Sequence, residues 1–318
     1  MGTALGLFFV FLAGGFLLLA PADSARTEAV PFAVSRGDGI KEIAGRLKGE
    51  GLIKSTIGFT IYSLITGAAT GFKPGSYSLA KSMGVPALAR TLEAGIPAIT
   101  VTIREGMTLV DIGRALADAG ILRPLELEEY DRSRNPSLEG YLFPDTYTFS
   151  GGISAASVVV AMRENFDKNV GPLLTGLSEA DVRKAVILAS LVEKEALYPH
   201  DRLLAAGVFV HRLAIGMPLQ VDAANIYAKC KGAYMTCPRD DRELTKADLA
   251  AESPYNLYLH AGLPPGPIAN AGKDAFEAAL HPERTKDLYY ISNPKTGKLI
   301  FAETLEGHNE NRAKYHIN

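Results

Sequence analysis

An internal repeat limits the possible folds of this chain more than any other feature of its sequence. Residues 32–53, FAVSRGDGIKEIAGRLKGEGLI, align with residues 101–122, VTIREGMTLVDIGRALADAGIL, at a constant offset of 69 positions that also matches Gly37 to Gly106. Each copy predicts a strand, a glycine turn, an amphipathic helix and a glycine that ends the helix in the left-handed conformation. The chain is therefore expected to contain a small strand–turn–helix unit twice.

Length and composition allow more than one domain. The chain has 318 residues, of which 47% are hydrophobic, enough for two cores. The stretch RPLELEEYDRSRNPS at 123–137 is charged, contains two prolines and loses the periodicity, which indicates a domain boundary. We predict an α+β protein with a leader at 1–25, a small α/β domain at 26–125 and a larger mixed α+β domain at 126–318.

The leader is strongly apolar. The first 22 residues carry no charged side chain, and the run LGLFFVFLAGGFLLLA is long enough to cross a bilayer core of about 30 Å. The small residues of APADSA, at 20–25, also fit the cleavage site of a secretory signal. The sequence favours a transmembrane helix over a cleaved signal, and both place this end of the chain at a membrane.

Charge and motif content exclude several classes of protein. The net charge of −2 and the pI of about 6.3 provide no basic field for nucleic acid. Cys230 and Cys237 lack zinc-site spacing, so they form either a disulfide in an oxidising compartment or two free thiols. The motifs HExxH, GxSxG, GxxxxGK[ST] and GxGxxG are absent from the sequence, and we predict neither a metal nor a cofactor.

The stretch LASLVEKEAL, at 188–197, contains the main candidate for catalysis. Ser178 predicts the start of a helix that continues through Ala196. At about 100° per residue, Glu193 falls within the apolar stripe of this helix, whereas Glu195 falls off its centre. Burial raises the pKa of a carboxyl group toward neutrality, as a general acid requires. The alternative is a structural carboxylate paired with an arginine or with backbone amides.

Long motifs in the second half of the chain identify a family resemblance. LEGYLFPDTYTF, LASLVEKEA, RLAIGMPLQVDAANIYA and SPYNLYLHAGLPPGPIANAGKDAFEAALHPE occur in this order. From about residue 30 to its end, the chain resembles the MltG/YceG-like family of endolytic murein transglycosylases. The strand–turn–helix repeat is similar to the LysM-like modules of cell-wall proteins. The resemblance implies a single-pass anchor in the inner membrane, with a LysM-like wall-binding domain and a catalytic domain in the periplasm.

The resemblance also implies a reaction and partners. Members of the family cut nascent peptidoglycan strands between N-acetylmuramic acid and N-acetylglucosamine, and they accompany peptidoglycan polymerases. Their catalytic glutamate matches Glu193, which we expect to protonate the leaving oxygen and then to accept the proton of the muramic acid C6 hydroxyl. Because that hydroxyl replaces an external nucleophile, the product should carry a 1,6-anhydro end.

Ten other polar residues are candidates for contacts with the sugar, because amide and aromatic groups on stiff loops suit carbohydrate grooves. They are Glu139, Tyr141, Asp145, Gln220, Asp222, Tyr227, Tyr255, Asn256, Tyr258 and Asn270. Two other functions stay open. One is a non-catalytic peptidoglycan-binding or scaffolding protein, and the other is a muramidase that hydrolyses the bond with a second carboxylate from Asp145, Asp222 or Glu139.

Overall fold

A computed structural model describes residues 17–35, 37–238 and 240–315. The chain is of the predicted α+β class and combines helices with small two-stranded sheets. The predicted membrane helix, within 1–25, lies largely outside the described residues. In the described part of the chain, no helix is both long enough and apolar enough to cross a membrane.

Two compact units divide the chain. The first contains Met1–Ile99 and Thr148–Ile153, and the second contains Thr100–Tyr147 and Ser154–Asn318.

The first unit surrounds its own apolar core. Ser55 caps its second helix by accepting a hydrogen bond from the Gly58 amide, and Gly67 ends that helix in the left-handed conformation. Its two strands pair in antiparallel register, with Phe32 opposite Tyr77, and both rings are buried. The elements are β1 (Ala29–Val34), α1 (Ile40–Gly49), α2 (Thr56–Thr66), a 3₁₀ turn (Ala68–Thr70), β2 (Gly75–Ala80) and α3 (Val85–Ala94).

The sequence repeat corresponds to a structural repeat. The next elements are β3 (Ala98–Thr102), α4 (Leu109–Asp118), α5 (Glu126–Arg132) and β4 (Thr146–Ser150). Helices α1 and α4 begin 69 positions apart, as do strands β1 and β3. The matched glycines before the helices, Gly37 and Gly106, have φ angles of 94° and 76°. The prediction of two strand–turn–helix repeats is confirmed, and each copy of the repeat is followed by a second helix and a second strand.

The second copy of the repeat lies mostly in the second unit. The Gly106 amide donates to the Asn270 carbonyl over 2.9 Å, and the Asn270 amide donates to the Met107 carbonyl over 2.8 Å. The Thr108 hydroxyl donates to the Gly232 carbonyl. These long-range bonds join the second copy of the repeat to the second unit, which begins at Thr100.

The rest of the second unit is mainly helical, and its core lies around one central helix, α8. Ser178 caps α8, as predicted. The elements are α6 (Ala155–Asn169), α7 (Gly171–Leu174), α8 (Glu179–Glu195), α9 (Pro199–Ala214), α10 (Asp222–Lys229), a 3₁₀ turn (Asp240–Arg242), α11 (Lys246–Leu249), α12 (Lys273–Leu280), β5 (Tyr289–Ser292), β6 (Leu299–Ala302) and α13 (Leu305–Tyr315).

Two further sequence features can be read directly in the structure. Strands β5 and β6 form an antiparallel hairpin around NPKTG, as predicted. Cys230 and Cys237 form a disulfide, with their Cα atoms 5.7 Å apart, which selects one of the two alternatives left open by the sequence.

Candidate active site

Glu193 points into the protein, as predicted, but it does not meet an apolar surface there. Its side chain is 5% exposed. Arg202 of α9 donates to Oε1 over 2.8 Å, and the Gly272 amide donates to Oε2 over 3.0 Å. Glu105 and Asp274 lie 3.6 Å and 3.8 Å from the same guanidinium. This is the environment of a carboxylate that fixes neighbouring segments, the alternative left open by the sequence.

Glu195, two positions further along α8, lines a cavity of about 390 Å³ in the second unit. The Tyr290 hydroxyl donates to its Oε2 over 2.9 Å. The other residues around the cavity come from α9, α10, α13, strand β5 and the intervening loops: Arg212, Gln220, Asp222, Tyr258, Tyr289, Tyr290, Ile291, Ser292 and His308. A carboxyl group in a polar, aromatic cavity can exchange a proton with a bound molecule.

The surroundings of Glu195 suit proton exchange near neutral pH. Burial raises the pKa of Glu195 to about 7 against the opposing effect of the Tyr290 hydrogen bond, and the nearby Asp222 carboxylate adds to the rise. Burial also raises the pKa of Glu193 to about 7, although Arg202 and the Gly272 amide act against it. The pKa values therefore do not distinguish the two carboxyl groups, whereas the cavity does.

Three of the predicted sugar-binding residues lie around the same cavity as Glu195. Gln220 has a φ of 51°, in the left-handed region that residues other than glycine rarely adopt. Its backbone amide donates to the Leu257 carbonyl over 2.9 Å. The Tyr258 hydroxyl donates to Asp222 Oδ1 over 2.6 Å. This part of the predicted site is brought together by the fold.

Three other predicted residues form a buried network of hydrogen bonds. Glu139 accepts hydrogen bonds from the Leu109 amide over 3.0 Å, from the Asn270 side chain over 3.0 Å and from the Tyr227 hydroxyl over 3.2 Å. The Tyr227 ring lies 5.2 Å from that of Tyr255, another predicted contact. Burial raises the pKa of Glu139 to about 8. These groups bind one another, as buried polar groups usually do.

The last three predicted residues have separate surroundings. Asn256 is buried and donates to the carbonyls of Leu249 and Ala251 over 3.0 Å and 2.8 Å. Tyr141 packs under the guanidinium of Arg163, 4.9 Å from its ring centre. Asp145 is exposed and accepts a hydrogen bond of 2.9 Å from Asn165. None of the three lines the cavity of Glu195.

The apolar stripe favoured Glu193 over Glu195 as the inward-facing acid, but α8 has no solvated face in the turns that precede them. Residues 185–192 are all buried. Ser190 is fully buried and accepts a hydrogen bond from the Ile268 amide. In a helix enclosed on all sides, an apolar stripe does not identify the side that faces a cavity.

Sequence reasoning also missed several residues around the cavity. Arg212 begins the motif RLAIGMPLQVDAANIYA, whereas Tyr289, Tyr290 and His308 follow the last of the motifs quoted above. Burial lowers the pKa of His308, and its buried Nδ1 has no hydrogen-bond partner among the described residues. A neutral imidazole with an unpartnered nitrogen can form a hydrogen bond with a molecule bound in the cavity. Within the same described residues, no cluster of three or more histidine, cysteine or acidic side chains could hold a metal ion.

Comparisons with known proteins identify the family of the chain. The model of the YceG-like family matches residues 32–314. An endolytic murein transglycosylase of Bacillus subtilis is 34% identical over 96% of this chain and 91% of its own length. One of Streptococcus pneumoniae is 31% identical over 98% of this chain and 64% of its own length. The crystal structure of a YceG-like protein from Listeria monocytogenes has a TM-score of 0.57 and 30% identity, and covers 89% of this chain and 99% of that one. The chain therefore belongs to the YceG-like family.

Proposed function

We propose that this protein is an endolytic murein transglycosylase that cleaves the glycan strands of peptidoglycan, with Glu195 as its catalytic acid and base. Two relatives similar over nearly the whole chain carry the name of that activity. The observation that carries the assignment of Glu195 is its position on the wall of the 390 Å³ cavity. Glu193, in contrast, accepts hydrogen bonds from Arg202 and from the Gly272 amide.

The first step is protonation of the leaving oxygen. Glu195 is about half protonated at pH 7, because its pKa is about 7. It donates this proton to the glycosidic oxygen between N-acetylmuramic acid and N-acetylglucosamine as the bond to the anomeric carbon breaks. Gln220, Asp222 and Tyr258 lie around the same cavity and provide hydrogen bonds that orient the sugar.

The second step closes a ring within the muramic acid. Its C6 hydroxyl attacks the anomeric carbon, and ionised Glu195 accepts the proton of that hydroxyl. The attack needs no external nucleophile, because the hydroxyl belongs to the same sugar as the reacting carbon. The new end is a 1,6-anhydro-N-acetylmuramic acid, and Glu195 returns to its protonated form.

A muramidase, which hydrolyses the same bond, is the second candidate. Of the three second carboxylates considered from the sequence, Asp222 lines the cavity of Glu195, whereas Glu139 is buried in its own network and Asp145 is exposed beside Asn165. An ionised Asp222 could activate a water molecule while Glu195 protonates the leaving oxygen. Its products would have reducing ends.

The proposal includes a place of action. The uncharged leader suggests a single-pass anchor in the inner membrane, with both units in the periplasm. The β1–α1–α2–β2 unit, with its antiparallel strand pair, is the candidate LysM-like wall-binding module. Peptidoglycan polymerases are the proposed protein partners, because an enzyme that cuts nascent strands must act where those strands are made.

Digestion of purified glycan strands by the full chain tests the proposal. We expect the wild-type protein and Glu193→Gln, if folded, to release fragments with 1,6-anhydro ends, and Glu195→Gln to lose about 10²–10⁴-fold in rate. Mass spectrometry distinguishes these ends from reducing ends, which are heavier by one water and would identify a hydrolase. Loss of activity in Glu193→Gln with an active Glu195→Gln would return the catalytic role to Glu193. Binding without any cleavage would indicate a scaffolding protein.

A further inference from the structure

Helix α2 exposes a stripe of large apolar side chains. Ile57, Ile61, Leu64 and Ile65 are 67%, 51%, 61% and 81% exposed. Their spacing of four, seven and eight positions from Ile57 places them on one face of the helix. Exposed apolar side chains that form one continuous patch usually mark a surface that contacts another apolar body.

The other face of α2 belongs to the core of the first unit. Gly58, Phe59 and Ser63 are buried there, and the Ser63 hydroxyl bonds back to the Phe59 carbonyl over 2.8 Å. The sequence of the helix, TIGFTIYSLIT, contains no charged residue. A helix that is apolar on all sides is typical of a protein interior or a bilayer, and less so of a surface in water.

The end of the apolar leader lies against this helix. A Cβ atom added to Gly58 would lie 3.1 Å from the Cβ of Leu18, so the two backbones approach closely. Leu17 and Leu18 are themselves 62% and 43% exposed. The exposed stripe of α2 and the point where the leader joins the first unit therefore belong to one apolar region of that unit.

We propose that the stripe of Ile57, Ile61, Leu64 and Ile65 rests in the membrane interface, with α2 lying along the bilayer surface. The inference depends on the proposed membrane anchor and not on the glycosidase chemistry. A leader that enters the bilayer holds the adjoining α2 close to the lipid surface. An interfacial helix buries its apolar face about 5–10 Å into the boundary between headgroups and acyl chains.

Lysines beside the stripe fit this orientation. Lys41 lines a shallow groove of about 360 Å³ together with Ile57 and Ile61. Lys54 is exposed immediately before the cap of the helix. Lysine side chains at such positions place their methylenes along apolar surface and their ammonium groups among anionic headgroups. The bilayer is therefore the occupant that both the apolar stripe and its cationic edge favour.

Fluorescence quenching on the full chain tests the proposal. The chain is reconstituted in vesicles of phosphatidylethanolamine and phosphatidylglycerol, and a thiol-reactive fluorophore is attached to Ile65→Cys. Ser78→Cys is the matched control, because Ser78 is exposed on β2 between the buried Tyr77 and Leu79 and so points away from the core against which α2 packs. The native cysteines do not react, because they form a disulfide. We expect nitroxide-labelled lipid to quench the probe at position 65 and aqueous iodide to quench the probe at position 78.

Other outcomes would overturn the proposal and identify a different occupant. Equal iodide quenching at both positions would mean that α2 stands clear of the membrane. A probe at position 65 that is shielded from both quenchers would indicate cover by protein, and disulfide-linked dimers of Ile65→Cys would identify a second copy. Digestion of soluble strands by the same variants is measured separately, so failure of this inference remains distinguishable from failure of the proposed enzymatic function.

Discussion

The hydroxyl of Tyr290, on β5, donates a hydrogen bond of 2.9 Å to Oε2 of Glu195, at the end of α8. This bond stabilises the ionised carboxylate, whereas burial stabilises the protonated acid, and burial is the stronger of the two. The balance leaves the pKa of Glu195 at about 7. The pair therefore determines the pH range in which the candidate acid carries a proton.

The activity should fall as the pH rises through about 7, because only protonated Glu195 can donate to the leaving oxygen. In Tyr290→Phe the carboxylate loses a stabilising bond, so the pKa of Glu195 rises and the fall in kcat/KM moves to higher pH. Initial rates on purified strands across neutral pH measure this shift. Tyr289→Phe is the control, since the bond comes from Tyr290, and an unchanged profile in Tyr290→Phe would contradict the role of the bond.

Loss of the Arg202 side chain should destabilise the protein strongly. Arg202→Met leaves Glu193 and the Ala196 carbonyl buried without their donor, which costs about 1–3 kcal/mol for each buried group left unsatisfied. Chemical denaturation measures the change in the free energy of unfolding. Arg114→Met, which breaks an exposed pair with Asp118 at 3.9 Å, is the control and should cost less than about 1 kcal/mol. A similar decrease in the free energy of unfolding in both variants would show that the buried pair stabilises the protein no more than the exposed pair does.

The stability of the second unit should decline with rising pH because of Glu139. Its pKa rises from 4.5 to about 8 on folding, so below pH 4.5 both states are protonated and the full stability is present. Between these values unfolding releases a proton, and stability falls by about 1.4 kcal/mol per pH unit. Glu193 and Glu195, each with a pKa of about 7, add to the fall only below that pH. Burial lowers the pKa of Lys194 to about 8, and its loss of a proton opposes the fall mainly above that pH. Denaturation midpoints between about pH 7 and about pH 8 therefore report mainly on Glu139.

Glu139→Gln provides the comparison for that measurement. The amide keeps the shape of the side chain but cannot ionise, so the slope between about pH 7 and about pH 8 should flatten. An equally steep slope in the variant would assign the proton to another group.

Substitution of Gln220 should separate binding from stability. Its φ of 51° costs most residues about 1 kcal/mol or more, and glycine adopts it freely. Gln220→Gly should therefore be at least as stable as Gln220→Ala, whereas both lose the side-chain amide of a residue that lines the cavity and should raise KM. Thermal melts measure the stability of the two variants, and steady-state kinetics measure their KM. A normal KM in both variants would remove Gln220 from the substrate contacts.

Local pattern was enough to predict the frame of the fold. The offset of 69 between the repeats is also the offset between the starts of α1 and α4, and the glycines that follow these helices, Gly51 and Gly120, have the expected positive φ. The Ser178 cap and the β5–β6 hairpin were also confirmed. These features depend on residues close in sequence, which is why periodicity and turn chemistry identify them.

The site depends on contacts that no local pattern contains. Arg202 meets Glu193 from the next helix, and Tyr290 meets Glu195 across 95 positions. The apolar run around the two glutamates predicts burial for both, and only the neighbouring segments determine which carboxyl group meets a cavity. The sequence thus locates the motif, whereas the proposed choice between its two acids depends on the packing of α8.

The path of the chain has a consequence for inheritance. It leaves one compact unit for the other after Ile99, after Tyr147 and after Ile153. A single crossover in the gene therefore cannot transfer one unit to another protein without part of the other unit. A module joined by one linker would not have this constraint.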